Sequence, residues 1–94
     1  MAFEETLRLK ITGKVQGVGY RFWATRTAAN LGLRGWVRNR HDSSVEMLVT
    51  GASEDVAAMV EAARKGPAGA RVAEVSATPD ANDGSVGFVA LPTE

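Results

Sequence analysis

Leu33-Arg-Gly-Trp-Val-Arg-Asn-Arg-His-Asp-Ser-Ser-Val-Glu-Met-Leu-Val-Thr50 contains two extended runs joined by a short polar connection. Leu33 to Arg40 reads as one strand, His41-Asp-Ser-Ser as a tight turn, and Val45 to Thr50 as a second strand with Val45, Met47 and Val49 on one side. Side chains alternate between faces along a strand, so this spacing gives one apolar face and one wet face. A linker this short argues for a hairpin, which makes the two runs antiparallel neighbours.

Working outward toward the N-terminus, Thr6-Leu-Arg-Leu-Lys-Ile-Thr-Gly13 alternates Leu7, Leu9 and Ile11 with Arg8, Lys10 and Thr12, which predicts another one-sided strand. Lys14-Val-Gln-Gly-Val-Gly-Tyr-Arg21 reads as a loop. From Phe22 to Leu31 the period becomes helical, with Ala24, Thr27, Ala28 and Leu31 on one face and Gly32 as the stop. Toward the C-terminus, Ser53 is placed to cap a helix whose Val56, Met59, Val60 and Ala63 share a face, and Gly66-Pro67 ends it. A further extended region covers about Ala70 to Thr78. Its Val72 and Val75 stand three apart, which predicts a bulge rather than strict alternation. Pro79 to Ser85 is a polar turn, and Val86 to Leu91 supplies a short extra C-terminal strand at an edge.

Strand, helix, strand, strand, helix, strand is the order of the split βαβ arrangement (βαββαβ), an α+β fold with two helices on one face of an antiparallel sheet. With 94 residues, residues 1–94 are expected to form a single domain. The chain is 45% hydrophobic and carries 11 basic and 11 acidic side chains, a formal net charge of zero. That balance removes the usual electrostatic case for a protein that coats nucleic acid. There is no cysteine and only one histidine, His41, which excludes thiolate chemistry and any site of several histidines. No apolar run approaches the roughly 20 residues that cross a bilayer, and the acidic start lacks the regions of a signal peptide. A cytoplasmic protein without metal or cofactor is the expectation.

Two places invite chemistry. Val15-Gln-Gly-Val-Gly-Tyr-Arg21 joins a strand to a helix, where free N–H groups and a curved glycine backbone can cradle an anion. Arg21 adds a permanent cation whose planar fork matches two phosphate oxygens. A turn with geometric glycines and a solvated arginine is the competing reading, and the residues alone leave both open. Asn39, near the end of the second strand, has an amide that can both grip a water and touch a substrate, although asparagine is also a common turn residue. Trp23 and Trp36 read as packing residues before they read as site walls, and Tyr20 likewise. His41 beside Asp42 has no nucleophile to serve.

Gly13-Lys-Val-Gln-Gly-Val-Gly-Tyr-Arg21 and Leu31-Gly-Leu-Arg-Gly-Trp-Val-Arg-Asn39, continued by Asp42, Val45-Glu46, Gly51, Gly66-Pro67, Ala70-Arg-Val72 and Phe88, closely resemble the acylphosphatase family. The resemblance implies a ferredoxin-like fold and hydrolysis of carboxylic–phosphoric mixed anhydrides without metal or organic cofactor. It also implies that Val15, Gln16, Gly17, Val18, Gly19, Tyr20 and Arg21 hold the substrate phosphate and that Asn39 positions water. Expected partners are a small acyl phosphate and inorganic phosphate, with no obligate nucleic acid, no membrane and a monomeric state. One departure is Ser43, where the family often has glycine after the aspartate; if that position needs a positive φ, serine strains the turn. The alternative is a non-enzymatic ferredoxin-like module that binds a ligand or RNA, kept open by Arg8, Lys10, Arg38 and Arg40.

Overall fold

In the computed structural model, which describes residues 3–94, the central hairpin forms where its spacing puts it. β2 (Arg34–Asn39) pairs antiparallel with β3 (Val45–Ala52), with Trp36 opposite Leu48 and Arg38 opposite Glu46. The other elements in chain order are β1 (Glu4–Lys14), α1 (Tyr20–Asn30), α2 (Ser53–Ala63), β4 (Arg71–Pro79) and β5 (Phe88–Ala90). β1 lies between β3 and β4 and pairs antiparallel with both. The sheet order is β4-β1-β3-β2-β5, the expected α+β split βαβ arrangement.

The extra terminal strand is present, but it pairs parallel to β2, which makes the whole sheet mixed. Residues 80–87 carry the chain from one sheet edge to the other, and two contacts pin that crossing. Asp80 accepts from Arg8 Nε at 2.7 Å, and Asp83 accepts from Trp36 Nε1 at 3.1 Å.

One face of the sheet carries the core. Leu9 and Ile11 of β1, Val37 of β2, and Val45, Met47 and Val49 of β3 are fully buried there. They meet Val56, Met59 and Ala63 of α2 and Tyr20, Ala24 and Ala28 of α1. Burying each of the larger side chains contributes about 1.5–3 kcal/mol, and the small Ala24 and Ala28 let α1 approach the sheet. Alternation thus turns directly into a helix-covered face and an open face.

The bulge expected near Val72 and Val75 falls between them. Thr12 pairs with Glu74 and Gly13 with Val72, so Ala73 is the extra residue on β4. The Ser53 cap does not form: Ser53 is the first helical residue, no side chain caps α2, and the Ser53 N–H donates to the Phe3 carbonyl at 2.7 Å. The chain comes directly out of β3, leaving no residue free to act as a separate cap.

At the hairpin tip Ser43 has φ 76°, the left-handed region. Asp42 holds the turn by accepting from the Ser44 N–H at 2.9 Å and the Ser44 hydroxyl at 2.5 Å. Those two bonds, with Lys10 nearby, hold the Asp42 carboxyl down at about 2. A left-handed L-residue costs about 1–2 kcal/mol, whereas glycine gives back roughly half of that gain through its freer unfolded chain. Ser43→Gly should therefore raise stability by about 0.5–1 kcal/mol and the melting temperature by a few degrees. Thermal unfolding of the two proteins decides this, and an unchanged or lower midpoint would contradict it.

Candidate active site

The loop from Val15 to Gly19 leaves β1 and turns into α1 through two left-handed glycines, Gly17 at φ 74° and Gly19 at φ 78°. A Cβ on either would meet nothing within 4 Å, so the backbone conformation, and not space, calls for glycine there. Gly19 is the N-cap of α1, no side chain caps that helix, and its first turn holds no acidic residue. Trp23 N–H donates to the Gly19 carbonyl at 3.0 Å and makes the first bond of the helix. The N–H groups of Tyr20, Arg21 and Phe22, residues that line the cleft, therefore lack helical partners, and the helix dipole adds positive potential there.

Arg21 and Asn39 meet in that cleft. It has a volume of about 310 Å³ and is lined by both of them together with Gly17, Gly19 and Phe22. Each of the two is braced by the C-terminal segment. Arg21 Nη1 donates to the Leu91 carbonyl at 3.0 Å, and the Glu94 N–H donates to the Asn39 carbonyl at 3.0 Å. One bond fixes the guanidinium and leaves most of its five donors for a ligand.

The remaining residues of the loop divide by side chain. Val15 is buried in the core and lines the cleft floor. Gln16 turns away from the cleft and donates to the Arg40 and Ser44 carbonyls, both at 2.8 Å, tying the loop to the hairpin that carries Asn39. Val18 packs partly against the core. Tyr20 is buried and donates its hydroxyl to the Ala63 carbonyl at 2.7 Å, locking the start of α1 to the end of α2. Burial pushes the pKa of that hydroxyl above its ordinary range.

Trp23 stacks edge-on against Tyr20, with ring centroids 5.1 Å apart, beside the cleft. Trp36 lies elsewhere, on the open sheet face, where the guanidinium carbons of Arg38 and Arg8 sit 4.7 and 5.7 Å from its ring centroid. His41 is an exposed turn residue and does not line the cleft. The basic side chains that kept RNA in view have carboxylate partners: Arg8, Arg38 and Arg40 surround Glu46, and Lys10 lies 3.3 Å from Asp42. Among the described residues no three His, Cys, Asp or Glu side chains converge as a metal site would require. None of the described helices is long and apolar enough to cross a membrane.

Sequence reasoning missed three features. Phe22, 67% exposed, forms the rim of the cleft. The Leu91 carbonyl accepts from Arg21, and the Gln16 side chain clamps the loop to the hairpin. Only the first had a readable signal, an aromatic in the opening turn of an amphipathic helix but off its buried face.

A βαββαβ sheet whose first loop opens on an uncapped helix beside an arginine defines a class of small α+β enzymes suited to phosphorylated substrates. Comparison with known proteins makes the class specific. The acylphosphatase family model matches residues 7–90. An acylphosphatase of Rhodospirillum rubrum is 49% identical over 89 residues, covering 95% of this chain and 98% of the relative. The crystal structure of acylphosphatase from Bacillus subtilis superposes with a TM-score of 0.89 at 32% identity, covering 95% of this chain and 99% of that one. An acylphosphatase structure from Coxiella burnetii gives a TM-score of 0.90 at 28% identity, over 94% and 93% of the two chains. The chain belongs to the acylphosphatase family, and its activity is hydrolysis of acyl phosphates.

Proposed function

We propose that Arg21 and the backbone of Val15, Gln16, Gly17, Val18, Gly19 and Tyr20 hold the phosphoryl group of the acyl phosphate while Asn39 orients the attacking water. The observation that carries this reading is that Arg21 and Asn39, 18 positions apart in the chain (39 − 21), line one cleft at the uncapped start of α1. In this reading the water oxygen bonds to phosphorus and the bond from phosphorus to the acyl oxygen breaks. The carboxylate leaves with the electron pair. Its conjugate acid has a pKa of about 4 to 5, so its departure needs little help from a general acid. The main task is to gather negative oxygens and align the water, which fixed donors and a cation perform by electrostatic stabilisation. A neutral amide cannot take the water's proton, so that proton goes to an oxygen of the substrate's own phosphoryl group. In this account residues 1–94 act as one monomeric domain in the cytoplasm on a small molecule.

Asn39→Ala tests the role of the water. Benzoyl phosphate hydrolysis should lose about tenfold to hundredfold in kcat, whereas inhibition by inorganic phosphate should barely change, because the alanine variant keeps the cradle. Turnover at the wild-type rate in a folded variant would remove Asn39 from the mechanism. An equal loss of phosphate affinity would make it a binding residue instead.

A further inference from the structure

A second groove continues from the cleft along α1. It shares Gly19 and Phe22 with the cleft, runs past Val18, Trp23 and Pro67 to Arg26, and has a volume of about 410 Å³. Its near part is apolar, with Val18 and Trp23 half-buried against the core and the Phe22 ring at the junction. Its far part is basic: the Arg26 guanidinium carbon lies 5.5 Å from the Phe22 ring centroid, and no carboxylate lines the groove.

The distribution of charge singles out Arg26. Of the eleven lysines and arginines, Arg8, Lys10, Arg34, Arg38, Arg40 and Arg64 are in ion pairs among the described residues. Arg21 and Arg26 belong to the remainder, and each lines one of the two adjoining spaces. Five residues of helix separate them, about 7.5 Å along the axis. Phe22 stands between the two.

We infer that Arg26 selects acyl phosphates whose acyl group ends in a second anion, in the simplest case the mono-acyl phosphate of a dicarboxylic acid. This rests on the reading that the cleft takes the phosphoryl group. With that group beside Arg21, the acyl portion passes over Gly19, lies against Phe22 and the apolar side of the groove, and brings its far carboxylate to the Arg26 fork. A neutral acyl group of the same shape makes the apolar contacts but lacks the ion pair. The pair forms at an exposed side chain, so its effect is severalfold and not hundredfold. The far carboxylate is remote from the reacting phosphorus and is held equally before and during bond breaking. Its effect therefore belongs in KM, with kcat unchanged.

The rigid pair 4-carboxybenzoyl phosphate and 4-methylbenzoyl phosphate tests this, because the two rings match in shape and neither can cyclise. The formal net charge of zero removes a long-range attraction for the more negative substrate, and the local field of Arg21 and α1 is common to the wild type and both Arg26 variants. At low ionic strength the wild-type KM should be about threefold to fivefold lower for the carboxylated substrate. The KM ratio should approach one in Arg26→Gln and reverse in Arg26→Glu, and in the wild type it should fade as salt approaches 1 M. Comparison across variants cancels any difference in intrinsic reactivity. An unchanged KM ratio in both variants overturns the role of Arg26 while leaving the phosphate cradle in place. If Arg21→Gln hydrolyses 4-methylbenzoyl phosphate as well as the wild type does, the cradle reading falls, and this inference falls with it.

Discussion

Arg21→Gln is expected to lower kcat/KM for benzoyl phosphate by about a thousandfold, with phosphate inhibition lost in parallel. Glutamine keeps much of the length and some hydrogen-bonding capacity but removes the charge and the fork. In the wild type one guanidinium nitrogen donates to the Leu91 carbonyl at 3.0 Å, which fixes the guanidinium beside the cleft that Arg21 lines. Glutamine cannot both satisfy that carbonyl and present a bidentate cation to a phosphoryl group. The stability effect should be small, because the loss is one part-buried hydrogen bond, about 1 kcal/mol. A large fall in activity with a small fall in melting temperature separates a role in the reaction from a role in folding. Where Asn39→Ala should affect kcat, Arg21→Gln should affect both binding and turnover. Equal rates for wild type and Arg21→Gln, under identical buffer conditions, would dismiss the arginine from the reaction.

Most of the scaffold was legible because its rules are local. Leu9 and Ile11, or Val45, Met47 and Val49, alternate at the strand period, and each of them is buried in the core. The three-residue step from Val72 to Val75 announced the bulge at Ala73 for the same reason. The loop and Asn39 could be singled out as candidates from residue type and from the family resemblance. Their meeting in one cleft could not, because the bond from Gln16 to the hairpin spans 24 residues and no periodicity encodes it. The Leu91 carbonyl is harder still to foresee, since every residue has a carbonyl and only the tertiary fold decides which one Arg21 reaches. The parallel pairing of β5 was hidden for a related reason: the direction of an edge strand depends on where the preceding crossing is pinned, here by Asp80 and Asp83. The Ser53 cap failed because a cap residue must lie outside the helix, and α2 follows β3 with no spacer.

Glu46→Gln is expected to destabilise the fold by about 1–2 kcal/mol. Glu46 lies on the open face of β3 with its side chain 15% exposed, and three arginines surround it. Arg8 Nη1 approaches at 2.5 Å, Arg38 Nε at 2.8 Å and Arg40 Nη1 at 3.6 Å. Removing the one carboxylate leaves three cations close together, and Arg38 is itself mostly covered. Breaking a fully buried pair costs about 3–5 kcal/mol; Arg8 and Arg40 reach water, which places this site below that range. Acid should erase the difference between the two proteins. Burial pushes the Glu46 carboxyl up, but hydrogen bonds and charge from Arg38 and Arg8 outweigh it and hold the folded value below the ordinary 4.5. The stabilisation is therefore fully present above the unfolded value and is lost as pH falls through the lower folded one. Below that point both proteins carry a neutral side chain at position 46, and their unfolding curves in urea should converge. A gap between wild type and Glu46→Gln that stays constant from neutral pH into acid would show that the shape of the side chain, and not its charge, holds the open face together.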